Sequence, residues 1–210
     1  MGYEIVVVAA LGGEIETNCY LFYCEASRAC AIIDPGAEPG KIFSAVARLE
    51  LKPVLVLNTH GHLDHIGANR DMTEKYGVPL ALHAADAPML KAENFLEIGL
   101  LLGVRDSPSP DRLLADGDEI AVGGERLRVI HTPGHTPGSV GFFGSGLLFS
   151  GDTLFCGGVG RTDLEGGSWK DLDRSIREKL FILPTETIVL PGHGPWTTVD
   201  QEKLSNPFFT

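Results

Sequence analysis

Thr59-His60-Gly61-His62-Leu63-Asp64-His65 packs three imidazoles and a carboxylate into one short run, in a chain with only 7 His among 210 residues. Imidazole and carboxylate at this density have one ready use, the holding of metal ions. The run follows Pro53–Leu57, a short and fully apolar stretch that reads as a buried strand. Open α/β sheets place their ligand sites at the carboxyl ends of strands. The stretch therefore points to a strand-based layered fold and, at the same time, to a chemistry.

Working outward, Glu4–Ala10 reads as a buried strand with Gly12-Gly13 as its turn. Thr17–Cys24 and Ala29–Asp34 read as a hairpin joined at Glu25-Ala26-Ser27-Arg28, and Asp34-Pro35-Gly36 stops the second strand. Lys41–Leu51 is apolar at Ile42, Val46 and Leu49, which predicts an amphipathic helix. After the donor run a helix is predicted over Ile66–Tyr76, closed by Gly77, then a strand over Pro79–His83. The second half is richer in strands: Glu119–Val122, Glu125–His131, Ser139–Phe143 and Gly146–Ser150 read as a meander. A helix over Ser168–Leu180 and a last apolar strand over Thr187–Leu190 follow. Strands in both halves with helices outside predict two sheets face to face, flanked by helices. Residues 87–111, with the Leu-rich Phe95–Leu102 before Ser107-Pro108-Ser109-Pro110, read either as a helix and loop over the site mouth or as a surface excursion.

The length predicts a single domain over residues 1–210, and 43% hydrophobic with 21% charged residues is ordinary for a globular chain. A net charge of −11 argues against nucleic acid as a partner, because phosphate binding needs clustered Lys and Arg. Ile5–Ala10 is far too short for a membrane span, and no basic segment with a long apolar run precedes it, so a cytoplasmic location without membrane contact is expected. Cys19, Cys24 and Cys30 fall in apolar stretches and are expected as buried thiols. Cys156 is expected to be buried against a sheet rather than catalytic.

Three further donors stand where an apolar strand meets a Gly-containing turn. They are His135 in His131-Thr132-Pro133-Gly134-His135, Asp152 in Ser150-Gly151-Asp152-Thr153, and His193 in Pro191-Gly192-His193-Gly194. Five His and two Asp suit two ions sharing one carboxylate, each keeping a position for water. Such donors take zinc, iron or manganese, and the lack of Cys near the motifs argues against a structural zinc site.

These residues resemble those of the metallo-β-lactamase superfamily, whose fold is a four-layer αββα sandwich. The match runs from Thr17-Asn18-Cys19-Tyr20-Leu21 to the end of the sequence. Gly151-Asp152-Thr153-Leu154-Phe155, Gly160-Arg161-Thr162-Asp163, Pro191-Gly192-His193-Gly194-Pro195 and Ser205-Asn206-Pro207-Phe208 look most like short, single-domain bacterial glyoxalase II-type enzymes (hydroxyacylglutathione hydrolases). The resemblance implies that His60, His62 and His135 bind a first metal ion, that Asp64, His65 and His193 bind a second, and that Asp152 bridges them. Two divalent ions are implied, with zinc foremost and iron or manganese as alternatives. Asp34 matches an Asp that holds ligands in place, although a turn before Pro35 also explains it. His83 is expected to be structural, and the pattern favours His135 over His131 as the donor.

The chemistry expected is attack on a carbonyl by water activated between the ions and oriented by Asp64 and Asp152. A thiol, with a pKa of about 8.5, leaves without a proton donor, whereas an amide nitrogen does not. A small-molecule thioester such as S-lactoylglutathione is therefore the expected substrate. Arg161 matches a basic position that helps hold glutathione, with an ion pair to Asp163 or Glu165 as its alternative use. The tyrosines that accompany it in the family correspond to Asp163 and Pro195, and the C-terminal helical domain of the longer members is not expected here. The competing expectation is a persulfide dioxygenase-type oxidoreductase with one iron. Those relatives read Ala-His-Asp-Tyr where this chain has Gly192-His193-Gly194-Pro195. A nuclease is disfavoured by the acidic balance, and a non-catalytic binding module by the full set of donor positions. The oligomeric state is open.

Overall fold

A computed structural model of the chain describes residues 1–10, 13, 15–91 and 105–210. Strands β1 (Gly2–Ala10), β2 (Ile15–Tyr23), β3 (Ala29–Ile33), β4 (Lys52–Leu57), β5 (Leu80–His83) and β6 (Arg112–Leu114) form one sheet in sequence order. Its first two pairings are antiparallel and the rest parallel. Helix α1 (Pro39–Arg48) makes the crossover that the parallel pair β3–β4 requires. The second sheet holds β7 (Glu119–Val122), β8 (Glu125–His131), β9 (Val140–Gly144), β10 (Leu147–Gly151), β13 (Ile188–Pro191) and β14 (Thr197–Thr198). Its order is β14-β13-β10-β9-β8-β7. A small ribbon, β11 (Leu154–Phe155) with β12 (Gly158–Val159), stands apart.

β3 and the Cys19–Phe22 part of β2 are buried on both faces, which is why they read as unbroken hydrophobic runs, whereas β1, expected as a buried strand, is an edge strand that exposes Ile5 and Val7. In β2 and β3, Tyr20, Phe22, Ala31 and Ile33 face the second sheet and meet Leu127, Val129, Phe142 and Phe149. Their neighbours Cys19, Leu21, Cys30 and Ile32 face outward and are covered by Ile42, Ala45 and Val46 of α1. On the far side, Ile130, Leu148 and Val189 meet Leu172, Ile176 and Leu180. This is the four-layer αββα arrangement. No helix among the described residues is long and apolar enough to cross a membrane.

Two helices differ from the expectation. The helix expected over Ile66–Tyr76 is split into α2 (Leu63–Ile66) and α3 (Asn69–Tyr76). The break is fixed by the Ala68 amide donating to the Pro35 carbonyl (2.8 Å) and by the buried Asn69 exchanging amide hydrogen bonds with Asn58. The helix expected over Ser168–Leu180 is α4 (Trp169–Ser175) followed by a π-helical turn, Ile176–Leu180, closed by Phe181 N–H to the Ile176 carbonyl at 2.8 Å. β6, β11, β12, β14 and α5 (Val199–Ser205) were not expected. Most are too short to show a period. The start of α5 did carry a signal, because Thr198-Val199-Asp200-Gln201 matches a capping box, and Thr198 Oγ1 accepts from Gln201 N–H at 3.2 Å. Phe95–Leu102 and Gly12 lie outside the described residues, while Ala87–Lys91 forms a 3-10 turn. Cys19, Cys24 and Cys30 are buried, as expected, but Cys156 is exposed, because it sits in the turn of the β11–β12 ribbon and not against a sheet.

Candidate metal centre

Four strand ends carry the donors to one place. β4 runs into His60 and His62, β8 into His135, β10 into Asp152 and β13 into His193, while α2 supplies Asp64 and His65. Three donor groups result, His60/His62/His135, His60/His65/Asp152 and Asp64/His65/His193, each with its ligand atoms within 4.8 Å of one another. All seven donors named from the sequence are thus brought together. His131 is not among them: it stacks on His83 with ring centroids 4.1 Å apart, and its Nε2 lies 2.9 Å from the Pro137 carbonyl.

Four of the five rings are aimed by a contact on their far side. A carbonyl only accepts, so His135 Nδ1–H donates to the Arg161 carbonyl (2.8 Å) and His193 Nδ1–H to the Glu16 carbonyl (2.7 Å), which bares both Nε2 atoms toward the cluster. His65 Nδ1 is held by Asp34 Oδ2 at 3.0 Å, and His60 Nδ1 by Thr59 Oγ1 at 3.0 Å. Asp34 also accepts from the Thr59 amide (2.7 Å) and hydroxyl (2.6 Å), so it ties β3 to the donor loop. Asp34 has φ of 51°, so it makes the turn and the clamp together. Far-side partners of this kind fix ring orientation and tautomer in metal centres. Asp86 was not singled out from the sequence. It is fully buried, takes hydrogen bonds from Gly61 N, Thr136 Oγ1 and Gly138 N, and has its pKa raised by burial against those donors. Its spacing from the donor run carries no motif.

The electrostatics fit a cation. Burial, with the neighbouring imidazoles, drives the His60 pKa well down, and burial with His135 pulls His62 down to about 4. These rings are neutral donors. Burial opposes charge on His65 and His193, but Asp152 and Asp64 outweigh it and push His193 up to about 10 and His65 well up. Asp152 is held well below the usual carboxylate range, despite burial, mainly by His65 and His193. His60 Nε2 and Asp152 Oδ1 are buried with no hydrogen-bond partner among the described residues. Such orphaned acceptors are costly unless something coordinates them. A Cβ at Gly192 would run into the Asp152 carboxylate and His65 Cε1, so the loop has been brought as close to the donors as a backbone can come. Donor type, orientation and these orphaned atoms all fit divalent metal ions.

A cavity of about 600 Å³ opens over the donors. Its walls are apolar, with Ile15, Leu63, Phe155, Val159 and Leu164, and the donors form its floor. Arg161 lies at its edge, exposed, with Nε 2.8 Å from Asp163 Oδ1. The alternative use foreseen for Arg161, an ion pair with Asp163, is what the structure contains.

Residues 12–193 match the family model described as the metallo-beta-lactamase superfamily. The chain is 42% identical to the "probable metallo-hydrolase YqgX" of Bacillus subtilis (strain 168), covering 93% of each chain. It is 38% identical to the "hydroxyacylglutathione hydrolase GloC" of Haemophilus influenzae, covering 99% of this chain and 98% of the other. Among solved structures it is similar to BLEG-1, titled a B3 metallo-beta-lactamase, at a TM-score of 0.89 and 36% identity, covering 99% of this chain and 100% of that one.

Proposed function

The chain belongs to the metallo-beta-lactamase superfamily, and we propose that within it the protein is a thioester hydrolase that uses two divalent metal ions. The observation that carries this reading is the set of three overlapping donor groups, seven donors in all, with an apolar-walled cavity directly above them. In this reading His60, His62 and His135 would hold one ion and Asp64, His65 and His193 the other, with Asp152 as a further donor. Two such ions supply Lewis acidity toward a carbonyl oxygen and lower the pKa of water to about 7.

The chain's own residues do the rest. Asp64 and Asp152 orient a water by accepting its hydrogen bonds, and this water attacks the thioester carbonyl carbon. A C–O bond forms and the C–S bond breaks as the thiolate leaves; of the water's two protons, one passes by way of Asp64 to solvent and the other ends on the departed thiolate. The products are a carboxylate and a thiol. The apolar walls take the acyl and thiol arms and exclude bulk water. Arg161, at the edge, meets the polar end of the thiol carrier once it exchanges Asp163 for the substrate. The acids among the described residues lining the cavity are Asp64 and Asp152, both already donors. That supports a leaving group needing no proton donor, which a thiolate is and an amide nitrogen is not. The name of the Haemophilus influenzae relative supports S-lactoylglutathione or a related acyl-thiol as the substrate.

The likeness to BLEG-1 favours a second reading, hydrolysis of a β-lactam amide. One panel separates them. Metal-loaded protein is assayed against S-lactoylglutathione, other acyl-thioesters and a cephalosporin, with oxygen uptake followed in the presence of glutathione persulfide. Thioester cleavage without the others is expected. Cephalosporin cleavage alone would replace this reading with the second, and oxygen uptake alone would point to a one-iron oxidoreductase.

A further inference from the structure

Asp86 lies in the connection after β5, between His83 and the 3-10 turn Ala87–Lys91, and its side chain is wholly buried. Its Oδ2 accepts from the Gly61 amide (3.0 Å) and the Thr136 hydroxyl (2.7 Å), and its Oδ1 accepts from the Gly138 amide (2.6 Å). Gly61 is the residue between His60 and His62, and Thr136 follows His135 directly. One carboxylate therefore spans the two loops, from different sheets, that carry all three members of the three-histidine cluster. Both loops approach Asp86 as closely as glycine permits, because a Cβ at Gly138 would meet Asp86 itself and one at Gly61 would meet Met89 and the Asp86 carbonyl.

Among the described residues, no side-chain hydrogen bond of Asp86 goes to Asp64, His65 or His193. Asp34 holds His65 Nδ1 and also takes the amide and hydroxyl of Thr59, beside His60, while His193 rests on the Glu16 carbonyl. We propose that Asp86 is a positioning residue of the three-histidine half of the centre, the carboxylate that sets His135 of the β8 loop against His60 and His62 of the β4 loop. This inference rests on the two-ion reading above. It does not make Asp86 a ligand or a participant in the reaction: the side chain fixes the separation between the β4 loop and the β8 loop, and with it how well three imidazoles converge.

The test is a zinc titration of metal-stripped protein followed by calorimetry, with thermal melts of the stripped forms alongside. His135→Ala and His193→Ala identify which binding step belongs to which half. Asp86→Asn keeps the shape and one acceptor oxygen, and Thr136→Val removes one donor and leaves the carboxylate in place. Asp86→Asn is expected to weaken the step removed by His135→Ala by about 10- to 100-fold, the usual scale for a group that orients a ligand. Thr136→Val is expected to weaken the same step less, and Asp34→Asn, whose carboxylate holds both Thr59 and His65, to weaken both steps. A merely structural role would lower the melting temperature and shift both steps alike. Equal weakening of both steps by Asp86→Asn, or unchanged steps, overturns the proposal. If the wild-type protein binds a single zinc, the two-ion reading fails, and the effect of Asp86→Asn on that one step still decides whether Asp86 positions the histidines.

Discussion

The floor of the cavity and its edge are built on opposite principles. On the floor, buried and half-buried donor rings are aimed by far-side partners: His135 and the half-buried His193 by backbone carbonyls, His65 by Asp34 and His60 by Thr59. At the edge, Arg161 is exposed and its partner Asp163 is equally exposed. Interactions in a buried site are weakly screened, whereas an exposed ion pair contributes little and rearranges cheaply. The contrast teaches that this fold holds its donor residues rigidly and leaves the edge of the cavity to replaceable contacts.

The comparison breaks most visibly at Asp152. Asp152→Ala removes the carboxylate shared between the two halves, and turnover of a thioester is expected to fall about 1,000-fold or more, as when one member of a reacting constellation is lost. Elemental analysis should show less bound metal in the same variant. Full activity in that variant would end the two-ion account. Gly192→Ala comes next. Its methyl group must push aside Asp152 or His65, and overpacking of this kind costs about 1–3 kcal/mol. The expected result is a lower melting temperature and a lower kcat, with KM little changed.

The edge should respond far less. Arg161→Ala is expected to raise KM for a glutathione thioester by about two- to five-fold with kcat preserved, the scale of one exposed charge contact. A large kcat loss would mean that the edge shares the rigidity of the floor. The smallest effect expected is on stability against pH. Burial, together with the stacked His131, lowers the pKa of His83 below its ordinary value of 6.5. The unfolded chain therefore binds a proton at this residue before the folded one does. Stability is retained above pH of about 6.5 and declines as pH falls below it. Denaturant melts of stripped His83→Asn protein should show a shallower decline between pH 7 and 5, a range set by that ordinary His pKa.

Much of this was legible from the sequence, and the reason differs by residue. His60, His62, Asp64 and His65 announce themselves because metal coordination needs donors at tight spacing. His135, Asp152 and His193 are each a lone donor at the end of an apolar strand, and they become a set only when the four strand ends are assumed to share one edge. β2 and β3 were readable because both faces are buried, so their apolar runs are unbroken. Asp86 was not readable. Its partners are two backbone amides and a hydroxyl, from loops 25 to 52 residues away, and backbone donors leave no mark in the sequence. The break between α2 and α3 was hidden for the same reason, since it depends on the Pro35 carbonyl and on Asn58. Cys156 was misjudged because strand-like composition around it did not reveal a two-strand ribbon turned toward solvent.

The central claim is that both donor clusters hold ions and act together on a thioester. It is tested most directly by adding zinc stepwise to metal-stripped protein while measuring bound metal per chain and S-lactoylglutathione hydrolysis in the same samples. The account predicts that binding saturates at two ions and that hydrolysis, absent from the stripped protein, reaches its plateau only when the second ion is bound. Saturation at one ion with full hydrolysis, or hydrolysis by protein shown to hold no metal, would contradict it.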